Sequence, residues 1–169
     1  MRKKVLISVV VLSLFLGYSS FGFYLNLTPD QRKDLAEDWL EAGKAFEASG
    51  KTKKAIVSYK HTYNLYPFGD SGSQAREILE QKYGISLKFT KSSFEKYNVE
   101  IAKKYERSNY RYSVNAYLMA YDVSANPEYL YKASVILFKN NQKEKAKKLA
   151  QEAIEKGFDK NKVNPQMLK

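Results

Sequence analysis

Between Ala36 and Gly69 the chain reads AEDWLEAGKAFEASGKTKKAIVSYKHTYNLYPFG. Large and small side chains recur there at helical spacing: Trp39, Gly43 and Phe46 in the first half, Ala55 and Tyr59 in the second. Gly50 and Pro67 punctuate the stretch. Two helices press together closely only where small residues stand at the crossing, and Gly43 and Ala55 suit that role with larger side chains above and below. Gly50 suits the left-handed residue that ends a helix, and Pro67 restricts the backbone before it so that the second helix stops. A helical hairpin of this size cannot bury its apolar face alone, so the rest of the chain must supply neighbours.

The series Trp39, Gly43, Phe46, Gly50, Ala55, Tyr59, Pro67 resembles one complete tetratricopeptide repeat (TPR), a unit of roughly 34 residues. Thr62 departs from it, standing where alanine is usual. The resemblance extends over roughly residues 36–158. A second unit, 94–127, carries Tyr97, Ala102, Tyr105, Ser113, Tyr117 and Ala120, with a turn one residue short. A third, 127–160, carries Leu130, Ser134, Leu137, Asn141, Ala146, Ala150 and Ala153, with Ala150 replacing the usual aromatic. The pattern lapses between Asp70 and Lys91, where an extra helix at about 71–83 is either a degenerate repeat or an insertion. The resemblance implies an all-α fold: an antiparallel helix-pair, TPR-like superhelical solenoid of about three repeats over residues 28–160, plus an N-terminal apolar helix and a tail at 161–169.

Helix-start signals place the elements. Thr28, Pro29 and Gln31 form a capping box with proline at the first helical position, opening a helix to about Ser49. Its early turns exceed what the repeat needs and read as a stalk. The next helix spans about Thr52 to Tyr66. Ser71 with Gln74, and Ser92 with Glu95, suggest two further capping boxes, the latter opening a helix to about Arg107. Asn126-Pro127 starts another, and Gly157 ends the last. The tail holds Val163, Met167 and Leu168, which suit a short cap over the open face of the final repeat.

At the N-terminus, Arg2, Lys3 and Lys4 precede an apolar run from Val5 to Leu16. Two readings of residues 1–27 stay open. One is a signal peptide cleaved after Ser20-Phe21-Gly22. The other is an uncleaved anchor, since Val5 to Leu27 as a helix would be about 35 Å long. Both send the remainder of the chain across the membrane, because positive flanks stay cytoplasmic. The soluble part is then extracytoplasmic: membrane-anchored, or secreted or periplasmic after cleavage.

Net charge is +11 at pH 7; beyond the first three basic residues, 26 basic side chains face 18 acidic ones. Lysines interspersed with glutamates along helices read first as a solvated surface, and second as a face for an anionic polymer or membrane surface. The absence of cysteine excludes disulfides, thiolate metal sites and a cysteine nucleophile. His61 is the only histidine, and it reads as a structural or surface residue rather than a base or ligand. No metalloprotease, phosphate-loop or hydrolase-elbow motif occurs. The tyrosines fall on repeat core positions, so packing explains them better than stacking on nucleic acid. No catalytic residue, metal or cofactor is expected, and nucleic acid is not the expected partner.

The resemblance implies a concave groove lined by the first helix of each pair. Carried onto this chain, it comprises Leu40 and Lys44 in the first repeat, Lys96, Val99, Lys103 and Arg107 in the second, and Tyr131, Val135 and Phe138 in the third. Glu47, Glu106 and Lys139 fall beside them. Leu40 and Lys44 do not match the clamp by which one TPR subclass grips a C-terminal carboxylate. The expected function is a non-catalytic scaffold or adaptor in the cell envelope, binding a segment of another protein. Tyr131, Val135 and Phe138 would take an apolar segment, with Lys96, Lys103 and Arg107 steering an acidic flank. The rival occupant of that apolar strip is the chain's own tail.

Overall fold

A computed structural model describes residues 24–87 and 89–168. Residues 1–23, and with them most of the stretch expected to be a signal peptide or anchor, lie outside it. The described residues form seven α-helices: α1 Pro29–Ala48, α2 Thr52–Leu65, α3 Asp70–Tyr83, α4 Lys91–Tyr105, α5 Tyr110–Ser124, α6 Pro127–Lys139 and α7 Lys143–Glu155. Two 3-10 turns follow, Lys160–Lys162 and Pro165–Met167. The described residues contain no strand, and none of their helices is long and apolar enough to cross a membrane.

The helices pack in adjacent pairs, α1 with α2, α4 with α5 and α6 with α7, and α5 joins α6. This arrangement is compatible with a TPR-like repeat. In the first pair the close approach is between Gly43 and the Tyr59 ring. A Cβ on Gly43 would lie 2.5 Å from a ring carbon of Tyr59, so the glycine exists to admit that aromatic. Thr62, the departure from alanine, is fully buried, and its hydroxyl donates to the Ser58 carbonyl at 3.1 Å. A helical threonine can hide its polar atom on its own backbone in this way.

The extra helix α3 packs on α2 and also touches α1. Its start runs so close to the preceding turn that a Cβ on Gly72 would meet the Tyr66 carbonyl oxygen at 1.9 Å. Two start signals are corrected. Gly69, without a side-chain cap, precedes α3 in place of Ser71. Helix α4 is capped by Thr90 and Ser93, each accepting from the other's backbone N–H at 3.0 and 2.9 Å, in place of Ser92 and Glu95. This register buries Phe94 against the edges of Phe68 and Phe89, both with centroids at 5.7 Å.

The core has three parts. One joins α1, α2 and α3 through Leu40, Ala55, Tyr59, Ala75 and Leu79. A larger one runs from α4 to the tail through Ile101, Val114, Tyr117, Ile136, Leu137, Val163 and Met167. A third gathers Tyr24, Ala36, Trp39 and Leu65. The stretch before α1 ties the second and third together, because Tyr24 belongs to the third cluster and its neighbour Leu25 to the largest.

That stretch is bonded as well as packed. The Tyr24 hydroxyl pairs with Nδ1 of His61, whose ring stacks on Trp39 at 4.7 Å. Asn115 Nδ2 donates to the Leu25 carbonyl at 3.1 Å, and Asn26 Nδ2 to the Tyr112 hydroxyl at 3.3 Å. The first turns of α1 are therefore no free stalk. Lys33 reaches Asp122 at the end of α5 at 3.2 Å, and the Tyr66 hydroxyl donates to the same carboxylate.

Candidate functional site

The groove residues inferred from the repeat resemblance divide into three kinds. Leu40 is buried, 4% exposed, inside the core of α1, α2 and α3. It packs where a ligand would need it open, and so is corrected from a groove contact to a core residue. Lys44 is exposed and pairs with Glu41 on the same helix at 2.8 Å. Such a solvent-facing pair is worth a few tenths of a kcal/mol, roughly 0.3–0.5.

The central set is the most available. Lys96, Lys103 and Arg107 are all exposed, and Val99 is half-buried beside them. Lys96 and Lys103 lie on one side of α4 at helical spacing, and Arg107 continues the row just beyond its end. None of the three forms an ion pair with a described residue, although Glu100 lies in the same row. At the end of this row Glu106 meets Lys139 at 3.7 Å, joining the second helix pair to the third.

The C-terminal set is occupied from within. Tyr131 stacks on Phe158 with centroids 4.4 Å apart, and its hydroxyl donates to the Lys162 carbonyl at 3.0 Å. Val163 and Met167 are both 3% exposed in the same cluster that Tyr131, Val135 and Phe138 pack against. The tail, the rival occupant of that strip, thus takes Tyr131 as its own contact, while Val135 and Phe138 stay half-buried against the same cluster. Two short turns suffice because Asp159 and Asn164 each cap one, accepting from Asn161 and Gln166 backbone N–H at 2.9 and 3.0 Å.

Three further polar sites stand out, of which Glu47 alone falls beside the expected groove. Glu47 binds three partners at the junction of α1, α2 and α3: the Tyr59 hydroxyl at 3.1 Å, the Tyr83 hydroxyl at 2.5 Å and Lys82 at 2.6 Å. The Lys82 contact foremost, then Tyr83, holds its carboxyl below the usual range. Its hydrogen bond in turn pushes the Tyr83 phenol up to about 12. The second site is Asp122, described above.

The third is Arg32, in the first turns of α1. It is 4% exposed, and its Nε and Nη2 have no hydrogen-bond partner. Burial lowers its pKa from 12.5 to about 10, against a smaller opposing effect of the nearby Tyr97 and Tyr24. The signal was in the sequence. Arg32, Ala36, Trp39, Leu40 and Gly43 are the buried residues of α1, and Arg32 sits one turn before Ala36 on that stripe.

His61 is half-buried, and burial lowers its pKa. Its ring is committed to Tyr24 and Trp39. Among the described residues no group of histidine and acidic side chains converges in a way that would hold a metal ion. A depression along α7 is lined by Lys147, Lys148 and Lys156 and equally by Glu144, Glu152 and Glu155. Its charges are balanced. No family model matches the chain, and no curated protein or solved structure matches it either.

Proposed function

We propose that the chain is a non-catalytic TPR-type scaffold of the cell envelope, carried across the membrane by its N-terminal segment, whose helical array holds a partner protein. The observation that carries the reading is the exposed row of Lys96 and Lys103 on α4 and Arg107 just beyond its end, beside Val99, charged yet unpaired within the described residues. A row of this kind beside a half-buried apolar residue suits a partner segment with acidic flanks and a small apolar contact. The contact surface is the middle of the array, since Leu40 is inside the core and Tyr131 is engaged by the tail.

The test is cross-linking and affinity recovery of the full chain from its native cells, compared with a Lys96→Glu/Lys103→Glu/Arg107→Glu variant. Loss of a discrete partner band in the variant supports the reading. Equal recovery by both proteins rejects this surface. The rival, binding of an anionic polymer or membrane surface, would show as affinity collapsing steeply between low and moderate salt.

A further inference from the structure

A buried guanidinium with orphaned donors is costly, since buried charges are almost always paired and hydrogen-bonded. Arg32 has two such donors in a 4% exposed side chain. Residues 1–23, Lys88 and Lys169 contribute no aspartate or glutamate, so every acidic side chain lies among the described residues, and none of them pairs with Arg32. Two phenols interact with it electrostatically, Tyr97 on α4 and Tyr24 before α1.

The arginine also stands where the first helix pair meets the central one. Its neighbour Lys33 bridges to Asp122 on α5, and Tyr97 is the residue next to Lys96. An uncompensated charge kept at such a junction is the signature of a site completed by something else. We propose that Arg32 receives a carboxylate from an acidic side chain of a partner polypeptide, engaged along the row Lys96, Lys103 and Arg107. The planar fork of arginine suits this, since two parallel N–H donors match the two oxygens of a carboxylate. The inference rests on the partner-binding reading above and names the chemistry of the segment bound.

Tyr24, which interacts with Arg32 electrostatically, is the ring an arriving carboxylate is expected to disturb: its hydroxyl pairs with His61, and His61 stacks on Trp39. Trp39 is the single tryptophan of the chain, so its emission reports displacement of Tyr24.

The experiment uses the full chain in neutral detergent and a hexaglutamate peptide acetylated and amidated at its ends. Binding is followed by calorimetry and by Trp39 emission. Arg32→Met is compared with Lys53→Met, an exposed lysine whose loss changes net charge equally. The proposal expects saturable binding by the wild type, a loss of at least about tenfold in Arg32→Met and near wild-type affinity in Lys53→Met. It also expects Arg32→Met to melt at a higher temperature than the wild type, because an uncompensated buried charge has been replaced by a similar apolar volume.

Equal weakening by both methionine variants would show general charge attraction and overturn the assignment. So would a lower melting temperature for Arg32→Met, which would mark the arginine as structural. Inorganic phosphate producing the same saturable change in Trp39 emission would overturn the commitment to a peptide carboxylate. A Lys96→Gln/Lys103→Gln/Arg107→Gln variant separates the two readings. If it loses hexaglutamate while Arg32→Met does not, the row stands and the Arg32 site falls. If both variants bind like the wild type, both readings fall.

Discussion

Asn115 donates through Nδ2 to the carbonyl oxygen of Leu25 at 3.1 Å, linking α5 to the residues that precede α1. Asn115 is 7% exposed and Leu25 3%, so the bond is shielded from water. Removing its donor leaves a buried carbonyl unsatisfied, a loss of about 1–3 kcal/mol. Asn115→Ala should therefore lower stability by about that amount. Hydrogen exchange should accelerate at residues 24–27 before it does in α6 or α7. Uniform acceleration across all helices would mean that the bond does not act locally.

Gly43→Ala separates propensity from packing. Alanine favours a helix interior over glycine by about 1 kcal/mol. Its methyl would sit 2.5 Å from the Tyr59 ring, however, and Tyr59 is fully buried with its hydroxyl held by Glu47. Overpacking of this kind costs about 1–3 kcal/mol. We expect a net loss in chemical denaturation, and a pairing of Gly43→Ala with Tyr59→Phe should recover little, since the ring remains. A stabilised Gly43→Ala protein would show that the ring moves aside freely.

Glu47 and Tyr83 set opposite edges of a stability window. The Glu47 carboxyl is held low in the fold by Lys82 and then Tyr83, so its contribution is present above the ordinary 4.5 and lost as pH falls through the lowered value. The Tyr83 phenol is raised to about 12, chiefly by its bond to Glu47, so its contribution is present below 10.0 and lost as pH rises through about 12. Glu47→Gln should flatten both edges of a plot of melting temperature against pH. Unchanged slopes in the variant would remove Glu47 from the account.

Acid should loosen the segment before α1. Burial lowers the pKa of His61, so its contribution is present above the ordinary 6.5 and lost as pH falls through the lower folded value. Trp39, stacked on that ring, should change its emission as pH falls below the ordinary 6.5, and His61→Gln should abolish the change. Tyr24→Phe removes only the hydroxyl contact and should move the midpoint without abolishing the change. Emission that stays constant over that range in the wild type would contradict this.

The tail should behave as a detachable cap. Met167→Ala should cost about 2 kcal/mol, the low end for truncating a buried methionine, and the loss should appear first as faster exchange at residues 160–168. Deleting residues 160–169 should expose Tyr131 and the face that Val163 and Met167 cover, measurable as increased binding of an apolar dye. A deletion that leaves dye binding unchanged would mean that the last pair closes over by itself.

The spacing of Gly43, Phe46, Gly50, Ala55 and Tyr59 fixed the first helix pair because each residue acts on its own neighbours in the chain. Thr28 and Gln31 were legible for the same reason, and they do form the capping box. Ser92 with Glu95 and Thr90 with Ser93 are rival caps for one helix, and local bonding alone cannot rank them. Burial of Phe94 against Phe68 and Phe89 does, and that is a tertiary fact. The same limit hid the candidate site. Leu40 and Tyr131 hold positions that line a groove in a regular array, but α3 adds a core around the first and the tail engages the second. Arg32 was overlooked because a charged residue before the repeat reads as solvated, although it continues the line of Ala36 and Trp39.

Helix α3 makes its principal contacts with α1 and α2 rather than with α4, while Leu25, Asn26, Lys33 and Tyr66 all bond to α5. The array is thus a loop with a clasp, not an open spring. Tension applied at the N-terminal end is delivered to α5 and, through Tyr24 and His61, to α2, while α3 stays out of the load path until the clasp gives way.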